Sequence, residues 1–212
     1  MNLKEELQSK QNIVLIIPNE KYPDAVLSVT EELLSLEGDF LYVSVNKPCN
    51  DILKPFEKKR QAEKFYCIDC ISRTFSPAHT AKLEQEKSLS KFYFIDNPHS
   101  LTQLGLAITK MLENKKIKQL LFDSISTLLI YSEEKEVMKF IHHIMSKVRE
   151  TECKAVFTSL KEDVSSMLVK EITLFADAII EFKETEKRKI GNIEIKTEQT
   201  KKTMEDFEEI KI

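Results

Sequence analysis

An α/β fold with a doubly wound, mostly parallel sheet is the architecture this sequence predicts, and three observations predict it. Apolar runs such as Asn12–Ile17 (NIVLII) and Leu120–Phe122 are continuous rather than alternating, as in strands covered on both faces. Between such runs lie stretches with apolar residues at helical spacing. Proline and asparagine mark the joints, at Pro18-Asn19, Asn46-Lys47-Pro48 and Asn97-Pro98, and this rhythm argues right-handed crossovers in one sheet.

Taken in order, 3–10 reads as a short lead-in helix and 12–17 as the first strand, rich in β-branched residues. Pro23 stands at the start of a helix whose apolar face is Val26, Val29, Leu33, Leu34 and Leu36, stopped by Gly38. A second strand follows at 40–45 (FLYVSV), then a mostly polar helix over 51–62 carrying Ile52, Leu53 and Phe56, then a third strand at 65–71. Residues 72–90 form the least regular part, read as a surface excursion of loop and short helix. A short strand at 92–95 and a helix at 101–113, with Leu101, Leu104 and Ile108 in a stripe, lead to the central strand at 118–123.

The helix expected at 133–149 aligns Val137, Phe140, Ile141, Ile144 and Val148 on one face. His142 and His143 then fall away from the buried stripe, as solvated residues rather than metal ligands. A strand at 154–160, a helix at 162–175 and a strand at 178–182 complete an α/β domain of residues 1–182. Residues 183–212 are expected to add an antiparallel β-hairpin, around Gly191-Asn192, and a charged tail.

The chain of 212 residues can bury a substantial core. Its formal charge of −3 argues against a globally basic nucleic-acid binder. The cluster Lys54, Lys58, Lys59, Arg60 and Lys64 is interrupted by Glu57 and Glu63 and reads as a solvated helix face. No stretch approaches the roughly 20 apolar residues that span a bilayer, and the first ten residues do not resemble a signal peptide, so a cytoplasmic protein is expected. The 4 cysteines are too few and scattered for a disulfide framework. Cys67 and Cys70 make a C-x-x-C, but in a strand they point to opposite faces, which argues for structural cysteines and no metal.

Chemistry concentrates at Lys118 to Tyr131, KQLLFDSISTLLIY. Asp123 closes an apolar strand at the carboxyl edge, where open α/β sheets bind ligands and where a carboxylate could hold magnesium beside a nucleotide. Its structural alternative is to accept hydrogen bonds near the turn that begins at Ser124. DSISTLLIY, followed by EVMKFIHHIMSKVRETECKAVFTSL, resembles the Walker B half of archaeal KaiC-like proteins of the RecA superfamily, and the resemblance extends over most of 12–182. It implies a P-loop NTPase fold of RecA/KaiC type and a nucleotide site of which Asp123, Ser124, Thr158, Ser159, Lys21 and Lys196 are the remnant candidates.

Against that resemblance the chain departs at three places. The loop after the first strand, PNEKYPDA, has no glycine to let backbone N–H groups curl around phosphates. Pro18 and Pro23 lack donors, Glu20 and Asp24 repel a triphosphate, and Lys21 is its only cation. Tyr22 in that loop is read as a packing residue, with ligand stacking as the alternative. Where active relatives place a glutamate pair after the second strand, to polarise water, this chain has Asn46-Lys47. In the expected hairpin, Glu198 stands where the resemblance implies an arginine, two residues after Lys196.

The sequence therefore predicts a pseudo-ATPase, a domain with no cofactor or metal that acts as a regulatory or scaffolding protein through a protein partner. The alternative is a nucleotide-binding signal-transduction switch that uses Asp123, Thr158 and Ser159 without turnover. A monomer or small homo-oligomer is expected, without nucleotide-dependent ring assembly.

Overall fold

A computed structural model describes residues 3–56, 63–75, 77, 80, 91–114, 117–163, 171, 172 and 174–182. Seven strands form one sheet: β1 (Asn12–Ile17), β2 (Asp39–Ser44), β3 (Phe65–Asp69), β4 (Phe92–Phe94), β5 (Ile117–Asp123), β6 (Lys154–Leu160) and β7 (Ala178–Glu181). Their order is β4-β3-β2-β5-β6-β1-β7, and every neighbouring pair is parallel. The hairpin, the tail and most of the 162–175 helix and the 72–90 excursion lie outside the described residues.

Helices cover both faces. On one side lie α1 (Leu3–Ser9), α2 (Tyr22–Ser35) and α3 (Cys49–Leu53). Their Leu3, Leu7, Val26, Val29, Leu33 and Ile52 pack on Ile13, Leu15, Phe40, Tyr42 and Leu121 of the sheet. A one-turn α4 (Ser72–Phe75) follows β3. On the other side are α5 (Leu101–Asn114), α6 (Ile125–Tyr131) and α7 (Glu134–Glu150), whose Leu104, Ile108, Leu128, Ile141 and Ile144 meet Val14, Val43, Leu120, Phe122 and Phe157. Successive strand residues thus feed alternate cores, which is why the strands had to be apolar without interruption.

The stripe on α7 is as expected: Val137, Phe140, Ile141, Ile144 and Val148 are buried, while His142 and His143 are exposed, His142 stacking on Phe175 at 3.9 Å between ring centroids. Cys67 and Cys70 fall in opposite cores, as the strand pleat requires. Two expectations change. Cys49 and Cys67 are joined by a disulfide with Cα atoms 6.2 Å apart, a pairing hidden in sequence because it depends on the β2–α3 connection folding back over β3. The helix expected over 51–62 starts at Cys49 and gives way to a 3₁₀ turn at Lys54–Phe56, where Pro55 has no N–H for an α-helical bond; residues 57–62 lie outside the description. Gly38, at φ 98°, takes the left-handed conformation that turns the end of α2 into β2.

The order of strands creates the site. From β2 the chain moves outward to β3 and β4, whereas from β5 it moves the other way to β6 and β7. Adjacent strands whose connections leave in opposite directions open a crevice at their carboxyl ends, and here that crevice lies between β2 and β5.

Candidate functional site

Asp123 ends β5 at this crevice and is 1% exposed. Its side chain points to the α2 face, with Tyr42 of β2 and Thr158 of β6. Tyr42 stands one pleat back on the neighbouring strand, since Ser44 is the residue in register with Asp123. From there its ring reaches forward and its hydroxyl donates to Asp123 Oδ2. The Tyr22 hydroxyl, from the N-terminus of α2, donates to Oδ1 and shares a 2.7 Å hydrogen bond with Thr158 Oγ1. Asn46 Nδ2 donates to the same Oδ1 at 2.9 Å, and Thr158 Oγ1 lies 3.5 Å from it. Four side chains from three segments separate in sequence therefore converge on one carboxylate. Hydrogen bonding near the turn at Ser124 is the sequence expectation for Asp123, and the donors that meet it in the structure are Tyr22, Tyr42 and Asn46 instead.

Burial pushes the Asp123 carboxyl above its ordinary value, and the hydrogen bonds from Tyr22, Tyr42 and Asn46, with the charge of Lys47, pull it back. The phenols of Tyr22 and Tyr42 are raised by burial and then by the negative charge of Asp123, so both remain neutral donors. The Asp123–Ser124 peptide is cis.

The remaining sequence candidates separate. Ser124 is the N-cap of α6: its Oγ accepts from Thr127 N at 3.2 Å, the usual reason for serine at such a position. Ser159 is not part of the cluster, because it follows Thr158 on the strand and faces the opposite side. There it shares a 3.1 Å bond with Ser126, whose Oγ also accepts from Leu160 N at 2.8 Å. Lys21 is at the N-cap of α2, and the cation that acts on Asp123 is Lys47. Lys196 lies outside the described residues.

The loop after β1 is a 3₁₀ turn at Asn19–Lys21 whose N–H groups are largely committed to protein acceptors. Asn19 N donates to Glu162 Oε1 at 3.3 Å, Lys21 N to Pro18 O at 3.0 Å, and Tyr22 N to Asn19 O. Beside it a cleft of about 200 Å³ opens between α2 and α3, lined by Pro23, Val26, Leu27, Ile52 and Pro55, with Lys47, Asp51 and Asp123 as its charged groups. Among the described residues no group of three or more His, Cys, Asp or Glu is placed to hold a metal ion, and no helix is long and apolar enough to cross a membrane.

Tyr22, Tyr42 and Asn46 are the residues that sequence reasoning missed as partners of Asp123; the sequence reads Tyr22 as a packing residue, with ligand stacking as the alternative. Asn46 carried a signal, as a polar amide where the resemblance implied an acid. Tyr42 carried none, because in FLYVSV it reads as one more buried strand aromatic.

Comparison with solved structures gives likenesses of fold. The uncharacterized protein PH0321 from Pyrococcus horikoshii, crystallised in complex with an unknown peptide, superposes with a TM-score of 0.57 at 11% identity, over 84% of this chain and 79% of that one. The KaiC-like protein PH0186 from Pyrococcus horikoshii OT3 gives a TM-score of 0.48 at 13% identity, over 84% of this chain and 75% of its own. No curated protein matches the chain. Residues 29–182, which hold Tyr42, Asn46, Asp123 and Thr158 but not Tyr22, match a family model described as a family of unknown function, DUF7504, and the protein belongs to that family.

Proposed function

We propose that this protein is a KaiC/RecA-like domain without ATPase activity that acts as a regulatory or scaffolding protein through protein partners. The observation that carries the reading is the position of Tyr22. It stems from the loop that would have to cradle phosphate, and its hydroxyl occupies the acceptor oxygen of the one acid that would have to face magnesium. Oδ1 already receives Tyr22 and Asn46, and Oδ2 receives Tyr42. A cation or its coordinated water at Oδ1 would have to displace a donor, and at Oδ2 it would have to share the oxygen with Tyr42.

The neighbouring features support the same reading. A glutamate at 46 could polarise water, whereas Asn46 donates to Asp123 and has no proton-accepting carboxylate. The cleft of about 200 Å³ is smaller than the ~300–1,000 Å³ that drug-sized ligands occupy. On this reading the scaffold serves as a surface for other proteins, a role that rests on the site and not on the fold alone.

Steady-state phosphate release with ATP and magnesium tests the first half, and the expected rate is background. Turnover that disappears in Asp123→Ala would overturn it. Calorimetric titration with a non-hydrolysable ATP analogue and magnesium tests the switch alternative: no heat of binding is expected, and saturable binding abolished by Asp123→Ala would favour the switch.

A further inference from the structure

We propose that Cys49 and Cys67 are a reversible redox site, a thiol pair whose disulfide latches α3 to the sheet beside the Asp123 cleft. The inference does not depend on the functional reading above, because nothing in it requires nucleotide or a partner.

Three observations lead to it. The Cα atoms are 6.2 Å apart, within the range a disulfide spans, so closure needs no movement of the backbone. Both residues belong to the α2 side of the sheet, Cys67 in β3 and Cys49 as the first residue of α3. Among the described residues, one turn of α-helix and one 3₁₀ turn follow Cys49 directly, and these supply Asp51, Ile52 and Pro55 to the cleft wall. Cys49 is buried, so oxidant reaches it through local opening of this short segment, while Cys67 stays in its strand.

The surroundings keep the reduced pair in place. Cys49 N donates to Asp69 Oδ2 at 2.8 Å, and Asp69 lies two residues beyond Cys67 on the same face. Its carboxylate also accepts from Ile71 N at 2.9 Å and from Ser72 N and Oγ at 2.8 Å. Ile52 and Phe56 are buried below the segment. Breaking the S–S bond removes one of several ties on α3, so the segment opens more often while its closed form brings the two sulfurs back together. The other two cysteines do not compete, because Cys70 and Cys153 lie in the core on the opposite side of the sheet from Cys49 and Cys67.

The chemistry balances with a peroxide as oxidant. The Cys49 thiolate attacks one peroxide oxygen, giving a sulfenic acid and water. The Cys67 thiol then attacks that sulfur and expels a second water, so two thiols and one hydrogen peroxide become one disulfide and two waters. A dithiol reverses the step by two exchange reactions and leaves as its own cyclic disulfide.

The test is intact mass after denaturing alkylation of the full chain. After hydrogen peroxide, two alkyl groups are expected, on Cys70 and Cys153, with a peptide map joining Cys49 to Cys67. After dithiothreitol under native conditions, four are expected. Four alkyl groups after peroxide, a link through Cys70 or Cys153, or two groups that persist after dithiothreitol would each overturn the proposal. Hydrogen exchange tests the latch: amides of 49–56 should exchange several-fold faster in the reduced protein and in Cys67→Ser, with β5 unchanged, whereas Cys70→Ser should behave as wild type. Equal exchange in the two redox states would refute the coupling to α3.

Discussion

Replacing Tyr42 by phenylalanine isolates one donor of the Asp123 cluster. The ring, 0% exposed and stacked on Phe65 at 6.1 Å, keeps its packing, and only the hydroxyl is lost. Among the described residues that hydroxyl is the donor to Asp123 Oδ2, so a buried carboxylate oxygen is left without its partner. Hydrogen bonds to charged groups contribute about 1.5–3 kcal/mol. With a urea slope of about 2 kcal/mol per molar, the unfolding midpoint should fall by about 1 M. Tyr22→Phe should cost less, about 1 kcal/mol or below, because Oδ1 retains Asn46 at 2.9 Å. In an Asp123→Ala background the Tyr42 hydroxyl has itself lost its acceptor, and Tyr42→Phe should be near neutral or slightly stabilising. Urea unfolding of the four proteins of this cycle measures the coupling. An equal loss from Tyr42→Phe in both backgrounds, or a larger loss from Tyr22→Phe than from Tyr42→Phe, would refute the assignment of Tyr42 as the partner of Oδ2.

Asn46→Glu should destabilise by about 1–3 kcal/mol, with a larger loss at neutral than at acidic pH, since it sets a second carboxylate against Asp123 in place of a donor; urea midpoints at the two pH values check the sign. Ser126→Ala should cost about 1 kcal/mol by the same measurement, for it removes the acceptor of Leu160 N and the link to Ser159. For Asp177, burial acts to raise its carboxyl but is outweighed by the N–H groups of Asn12 and Gln11 and by Arg149, so it lies below its ordinary 3.8; the stability it gives is present above 3.8 and is lost as pH falls through its lowered value. Asp177→Asn should flatten that acid limb. Asp123 is raised and acts in the opposite sense, costing stability as pH rises from 3.8 through its raised value, so Asp123→Asn should remove a contribution of the other sign. Light scattering should show the same mass with and without ATP and magnesium, and a nucleotide-induced hexamer would contradict the proposed function.

What sequence revealed and what it hid divide along pairings. The strand 117–123 and the place of Asp123 at its end were legible because an apolar run closed by an acid has local meaning. The partners of that acid were not, because Tyr42 and Asp123 meet only through the register of β2 on β5, which local periodicity does not contain. Thr158 and Ser159 show the same limit. That adjacent strand residues point apart follows from the pleat, but which of them faces Asp123 depends on which side of the sheet holds α2. The Cys49–Cys67 bond was hidden for a third reason: a spacing of 18 residues says nothing about the path between them. The absence of glycine from PNEKYPDA, by contrast, is legible in sequence alone and needs no fold to be seen.

The position of β1 has a consequence for the birth of the chain. Its two neighbours are β6 and β7, with Asn12 in register with Ala155 and Ile13 with Ala178. At ~5–20 residues per second of synthesis, the first strand leaves the ribosome on the order of ten seconds before either neighbour exists. Throughout that interval NIVLII is an unpaired hexapeptide of high β-propensity with no charge, proline or glycine, the composition that favours cross-β association. The residues beside it read as guards for this period: Glu5, Glu6 and Lys10 precede the strand, and Pro18, Glu20 and Lys21 follow it, so charge and a missing donor bracket the segment until the C-terminal third arrives to cover it.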